Sequence, residues 1–406
     1  MRCENRQVRK LGELASFRTG PFGSALHKSD YIIDGVPVIN PMHIVDGRLV
    51  PTPDMTVTDS AARSLQDFRL AAGDVVIGRR GDMGRCALVR QQHAGWLCGT
   101  GSMIVRPQRG LESAYCQLVL SSPVVVAAIE NSSVGSTMIN LNQRTLAGLC
   151  IDLPPPAEQH AIAATLSDVD ELLDGLGALI TKKRDLKQAA TQQLLTGRVR
   201  LAGHGREWKQ VSLGELFTFK NGLNKAKQFF GFGTPIVNYM DVYNGPKIRA
   251  SRVQGRVSLS IDEIKNFDVR RGDVLFTRTS ETPEEVGLAA VMLDEPSQTV
   301  FSGFVLRARP RNDELCDEFK AYCFRSSFVR GQIISKSTYT TRALTNGRQL
   351  SAVTLPIPPK SEQAAIAAVL SSMDDELAAL EFRRQKTVAL KQAMMQQLLT
   401  GRIRLT

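Results

Sequence analysis

Cysteine is sparse and unpaired along these 406 residues. Cys3, Cys86, Cys98, Cys116, Cys150, Cys316 and Cys323 are odd in number and scattered, with no CxxC spacing, which excludes a disulfide framework and a zinc site. Histidine is scarcer still. His27, His43, His93, His160 and His204 share no metal-ligand or triad spacing and none follows His204, so histidine chemistry common to both halves is excluded. No uninterrupted apolar stretch approaches the roughly 20 residues that cross a bilayer. The opening MRCENRQVRK is polar and basic with no apolar run behind it. No secretory signal is read there, no membrane partner is expected, and a cytoplasmic address follows. No GxxxxGK[ST] phosphate loop occurs, which removes an ATP-driven motor. The nearest approach to a methyltransferase D/N-P-P-Y/F motif, Asn40-Pro41-Met42-His43, lacks the second proline and the aromatic on which a flipped base would stack. Phe230-Gly231-Phe232-Gly233 reads as a plain turn, and Glu263-Ile264-Lys265 with Asp241 upstream reads as solvated surface rather than a nuclease metal site. Neither a catalytic residue nor a cofactor is expected.

What is present is positive charge. Lys plus Arg number 51 against 40 Asp plus Glu, a surplus of 51 − 40 = 11. That surplus suits a polyanionic partner, because cations that meet phosphates release condensed counterions, although charge alone does not separate DNA binders from other basic proteins. Hydrophobic content of 43% with 22% charged residues fits a folded chain, and the length calls for two or more domains.

An internal repeat fixes the number at two. EQHAIAATLSDVDELL (158–173) returns as EQAAIAAVLSSMDDEL (362–377), and LKQAATQQLLTGRVRL (186–201) returns as LKQAMMQQLLTGRIRL (390–405). Both pairs lie at one offset, 362 − 158 = 204 and 390 − 186 = 204, with no insertion, as a continuous rigid element requires. Leu166, Val169, Leu173, Leu176 and Ile180 step by three and four, as do Leu370, Met373, Leu377 and Leu380, which predicts a helix with a coiled-coil seam. Prolines 154–156, 356, 358 and 359 precede the helices, and Gly197 and Gly401 stop them. Glu158 to Thr196 would span about 58 Å. The nearest cover for each stripe is the other copy, in a parallel or antiparallel pair. Weaker echoes lie upstream: VRKLGELASFRTG (8–20) resembles VSLGELFTFKNG (211–222), and AAGDVVIGRRG (71–81) resembles VRRGDVLFTRTS (269–280). Runs such as DVVIG, SMIVRP, DVLFT and GFVLRARP, bounded by Gly, Pro and Asp, predict strands.

The order domain, helix, domain, helix resembles the specificity (S) subunit of a Type I restriction-modification system. The most specific parts are VGSTMINLNQRTLAGLCIDLPPPAEQHAIA (134–163) and QQLLTGRVRL, each with a counterpart in the second half. The counterpart TYTTRALTNGRQLSAVTLPIPPKSEQ (338–363) lacks the GST-x-x-N form. The resemblance implies an α+β chain of two tandem, strand-containing target-recognition domains. These are residues 1–156 and 202–360, each followed by a spacer helix, 157–201 and 361–406, the helices packing as an antiparallel coiled coil with pseudo-two-fold symmetry. Each domain would read one half of a bipartite DNA target, with methyl transfer and cleavage left to methyltransferase (M) and restriction (R) subunits. The matched polar positions of the repeat (EQ, LKQA, QQLLTGR) point to a shared external partner, hence to two copies of the M subunit on double-stranded DNA. A stand-alone DNA-binding regulator would not need two such helices, and a fused restriction-methylation enzyme fails on the missing motifs.

Candidate DNA contacts are basic or polar residues in glycine-rich loops beside strands. Arg79 and Arg80, with the counterpart Arg278, form one group. Ser136, Thr137 and Arg144, with Tyr339, Thr341, Arg342 and Arg348 in the second domain, form another. Lys220, Lys225 and Lys227, interleaved with Phe219, Phe229 and Phe230, make a third. Lys182-Lys183-Arg184 and Arg383-Arg384 are solvated helix surface or phosphate contacts beneath a spacer, and the sequence leaves both open.

Overall fold

The computed structural model describes residues 6–21, 25–131 and 140–405. The chain divides into two compact units, residues 1–177 with 383–406, and residues 178–382.

The first unit is built on a four-stranded antiparallel sheet of β1 (Ala15–Thr19), β2 (Val75–Gly78), β3 (Cys86–Leu88) and β4 (Ser102–Pro107), in the order β1-β4-β2-β3. β2 and much of β4 are buried, as runs rich in Val and Ile dictate. A small sheet joins Val36–Ile39 to Thr56–Val57 (antiparallel) and Leu97–Cys98 (parallel), and Gln7–Lys10 pairs with Cys150–Leu153. The second unit repeats this plan. Its sheet is β5 (Phe217–Asn221), β6 (Lys247–Ile248), β7 (Val274–Thr277), β8 (Ala289–Met292) and β9 (Val305–Pro310), in the order β5-β9-β7-β8-β6. Phe230–Val237 joins Arg256–Val257 and Val300–Phe301 as the small sheet, and Lys209–Ser212 pairs with Thr354–Ile357. The predicted strands DVVIG, SMIVRP, DVLFT and GFVLRARP are β2, β4, β7 and β9.

The GD pair before β2 and β7 is structural. Gly73 and Gly272 take φ of +91° and +82°, a conformation that favours glycine. Asp74 and Asp273 are buried; each accepts a backbone N–H three residues upstream (Ala71, 2.9 Å; Arg270, 2.8 Å). Each also holds a bidentate arginine, Arg106 at 2.7 and 2.7 Å and Arg309 at 2.9 and 2.7 Å.

The repeated segments form α1 (Pro156–Leu195) and α2 (Lys360–Leu399), each 40 residues long. Gly197 and Gly401 end them at φ of +69° and +68°. The seam is buried unevenly: Leu166, Leu176, Ile180 and Leu370 are enclosed, whereas Val169, Leu173, Met373, Leu377 and Leu380 are half-buried. Both helices serve both cores. Ile162, Ala163 and Leu166 join Leu398 and Leu399 in the first unit's core. Leu194 and Leu195 join Ile366, Ala367 and Leu370 in the second. Ion pairs follow the same order. In the first unit Arg404 reaches Glu158 (2.7 Å) and Lys391 reaches Asp170 (2.6 Å). In the second, Arg200 reaches Glu362 (2.6 Å) and Lys187 pairs with Asp374.

Among the described residues no single helix is long and apolar enough to cross a membrane. Ser113–Leu120 and Pro123–Asn131, bent by 59° at their junction, meet that test only as a pair, and they give Tyr115, Leu118, Leu120, Val125 and Ile129 to the first core.

Candidate nucleic-acid interface

Arg79 and Arg278 occupy one place in two copies of the fold. Each directly follows a central strand, β2 or β7. The Arg79 N–H donates to Gly101 O (2.9 Å) and its carbonyl accepts from Leu141 N (2.9 Å). The Arg278 N–H donates to Phe304 O (2.9 Å) and its carbonyl accepts from Thr345 N (3.0 Å). The side chains differ. Arg79 is buried, only 8% exposed, with Nε donating to Leu141 O at 2.9 Å. Burial, then the adjacent Arg80 charge, push its guanidinium below the ordinary arginine value. Arg278 is half-exposed and makes one long bond, Nη1 to Gly303 O at 3.4 Å. Arg80 is exposed.

Three residues beyond Leu141 and Thr345 stand Arg144 and Arg348, both exposed. They sit in short helices, Gln143–Gly148 and Gly347–Ser351, whose caps are Asn142, accepting from Thr145 N at 2.9 Å, and Asn346, accepting from Gln349 N at 3.0 Å. These two asparagines were not among the sequence candidates. The alignment LNQR with TNGR at offset 204 was the signal for them. In the second unit a ribbon of Thr279–Ser280, Ala343–Leu344 and Thr338–Tyr339 continues from Arg278, and carries Tyr339, Thr341 and Arg342, all exposed. The structure thus brings Arg278, Tyr339, Thr341, Arg342 and Arg348 to one end of the second sheet. Ser136 and Thr137 lie outside the described residues.

A scan against family models decides the matter, since the one described as "Type I restriction modification DNA specificity domain" matches residues 4–182 and again 205–390. The chain belongs to the Type I restriction-modification DNA specificity family. The Type I restriction enzyme EcoKI specificity subunit of Escherichia coli (strain K12) is 24% identical over 363 residues, covering 84% of this chain and 74% of that one. The crystal structure of a Type I restriction-modification S subunit from M. genitalium matches 97% of this chain and 96% of its own, with 16% identity and a TM-score of 0.56. A chain from a structure on complex assembly and conformational transition of the type I R-M system covers 98% of each, with 17% identity and a TM-score of 0.60. At these identities the structural likeness is one of fold, and it supports an α+β chain with two domains of the specificity family.

The lysine group of this specificity-family chain is half committed. Lys220 Nζ donates to Asn266 O (2.6 Å) and lies 5.2 Å from the Phe267 ring centre. Lys225 pairs with Glu263 and lies 4.9 Å from the Phe229 ring, while Lys227 is exposed. Burial first, then the Arg307 charge, lower the Lys220 ammonium below its usual range. The first unit has an equivalent that sequence reading passed over. Arg18 pairs with Asp67 and lies 5.2 Å from the Phe68 ring.

The residues weighed for chemistry are engaged elsewhere. Asn40 Oδ1 accepts from Gly101 N at 3.4 Å, and the Asn40 N–H donates to His43 Nδ1 at 3.2 Å. Asp241 accepts from Asn238 N at 2.7 Å, and Glu263 faces Lys225 and the Ser260 N–H. Phe230–Gly233 is a bulged strand segment rather than a simple turn. Lys183 and Arg184 pair with Glu376 (2.6 Å) and Glu381 (2.5 Å), and Arg184 keeps most of its side chain exposed.

Some of the repeat's matched polar positions find partners within their own units, whereas Gln188, Gln193, Gln392 and Gln396 are exposed. Gln159 accepts from Glu112 N (2.8 Å) and donates to Gly110 O (2.8 Å) and Pro154 O (2.9 Å). Gln363 does the same with Cys316 N (3.0 Å), Glu314 O (2.8 Å) and Pro358 O (2.9 Å). The lysines of both LKQA copies end on Asp374 and Asp170. Gln192 accepts from Ser327 N at 2.7 Å.

Proposed function

We propose that this chain is the non-catalytic sequence-specificity subunit of a Type I restriction-modification complex. It acts in the cytoplasm, where residues 1–156 and 202–360 each read one half of a bipartite, asymmetric double-stranded DNA target. Residues 157–201 and 361–406 pack as an antiparallel coiled coil with pseudo-two-fold symmetry and set the spacing. The ion pairs support this packing: Glu158 with Arg404 and Asp170 with Lys391 become Glu362 with Arg200 and Asp374 with Lys187 when 204 is added to one partner and subtracted from the other. Two methyltransferase subunits, one for each half-site, and restriction subunits supply the chemistry. Two like helices in one chain support that count.

The observation that carries the reading is the shared backbone setting of Arg79 and Arg278, with an exposed arginine on a capped turn beside each, in domains whose other loops have diverged. Arg80, Arg144, Lys227, Arg278, Tyr339, Thr341, Arg342 and Arg348 face the duplex. Arg79, Lys220 and Lys225 hold the loops that present them, and Ser136 and Thr137 complete the first domain's set. Domain exchange tests this. Residues 1–156 are replaced by the equivalent domain of a relative, the complex is expressed, and host DNA is sequenced for methylation. One half-site should change while the other stays. A continuous or palindromic motif, or a change in both halves, refutes it.

A further inference from the structure

Phe304 is 61% exposed, although its neighbours Phe301, Val305 and Leu306 are buried. It stands opposite Arg278. The ladder between β7 and β9 includes Thr277↔Val305 and runs on one step through the Arg278 N–H to Phe304 O bond. Phe304 lies in the turn that leads into β9, where Val305 N–H donates to Ser302 O at 2.9 Å, so one backbone bond joins it to Arg278 at the strand end. Among the described residues, the Arg278 guanidinium has only its long bond to Gly303 O, and no aromatic ring packs on Phe304. Exposed Arg342 and Arg348 lie on the adjoining ribbon and helix. In the first unit the same backbone position opposite Arg79 is Gly101, so the apolar group belongs to the second domain alone.

A single exposed phenylalanine is unremarkable on most surfaces, but this one is bonded through its carbonyl to a half-exposed arginine, with exposed Arg342 and Arg348 on the adjoining ribbon and helix and Glu281 and Glu284 on the loop beyond. That setting selects a polyanion. In the major groove of duplex DNA the base edges are polar except for the thymine C5-methyl group, and the preferred arginine target is guanine O6 and N7. Base pairs repeat about every 3.4 Å along a strand, a step that two residues joined by one backbone hydrogen bond can match.

We propose that Phe304 reads a thymine methyl group beside the guanine that Arg278 reads, so that the second half-site contains a G·C pair next to a T·A pair. The proposal rests on the reading of residues 202–360 as a DNA-recognition domain. The test uses the complete methyltransferase–specificity complex. Methylation sequencing gives its motif, and duplexes carrying that motif are made with each thymine of the second half-site replaced in turn by deoxyuridine, which pairs alike but lacks the methyl. One replacement, adjacent to guanine, should weaken binding about fourfold, as expected for one buried methyl. Phe304→Ala should bind the thymine and uridine duplexes equally, and Phe304→Leu should keep part of the difference. A second half-site without thymine, no uridine effect there, or full discrimination by Phe304→Ala overturns the proposal alone. A wild-type complex that binds no DNA overturns the DNA-reading function and this proposal with it.

Discussion

Gln159 offers the clearest test of how the long helix is fastened to its domain. Its carboxamide is fully buried and makes three hydrogen bonds, to Glu112 N, Gly110 O and Pro154 O. Gln159→Ala removes all three and strands one N–H and two carbonyls inside the protein. At about 1 kcal/mol net for each bond the loss is about 3 kcal/mol, rising if water cannot reach the stranded groups. Gln159→Glu keeps the shape and can still accept from Glu112 N, but it turns an oxygen toward the two carbonyls. At neutral pH it should destabilise at least as much as the alanine. It should partly recover as pH falls, because the introduced carboxyl gains a proton it can donate. The assay is urea unfolding of the full chain with hydrogen exchange read by peptide, so that segments around 110–112 and 154–166 are compared with those around 314–316 and 358–370. Only the first set should lose protection, and Gln363→Ala should do the reverse. A loss below about 0.5 kcal/mol, or equal loosening of both units, would refute the reasoning.

Arg278→Ala should cost about 1–3 kcal/mol on the specific target over random DNA, measured by competition binding of the complex; equal loss on both would make it a phosphate contact. If the complex neutralises 6–10 phosphates, affinity should fall roughly 10³–10⁵-fold between 50 and 200 mM salt, and a flat salt titration would contradict the electrostatic reading. Burial alone would raise the Glu158 and Glu362 carboxyls, but hydrogen bonds from Arg404 and Arg6, and from Arg200 and Trp208, outweigh it and hold both below the ordinary value of 4.5. Groups lowered in the folded state add stability that is present above their unfolded value and lost as pH falls through the folded one. Acid should therefore loosen both units below about pH 4.5. Glu158→Gln should flatten the acid limb of the first unit's urea midpoint, and an unchanged limb would remove this pair from the account.

The long helices were legible because a rigid element tolerates no insertion, so one offset of 204 ties EQ, LKQA and QQLLTGR together, and Gly197 and Gly401 mark where they stop. The strands around Val75 and Val274 were legible from their apolar runs. Which core each helix end enters was not, since periodicity gives the side of a helix that is covered and says nothing of what covers it; Leu398 packing with Ile162 is a contact over more than two hundred residues. That Gln159 and Gln363 serve local backbone was not legible for a related reason, because a buried carboxamide looks in sequence like a surface kept for a partner. Among the candidate contacts, Arg144, Arg342 and Arg348 proved exposed, but nothing in RRG signalled that Arg79 turns inward to Leu141 while Arg80 stays out. Phe304 was hidden because an exposed aromatic within an apolar run reads as strand interior.

That the first core includes Leu398 and Leu399 sets an order of events during synthesis. Ile162, Ala163 and Leu166 leave the ribosome early, but the leucines that cover them lie 399 − 177 = 222 residues beyond Gly177, the end of the unit's first stretch. At about 5–20 residues per second this is a delay of roughly 11–44 seconds. The second unit, complete at Phe382, has all its residues made before the first does. The half that is translated first is therefore completed after the other, with an open apolar edge that waits for Leu398 and Leu399.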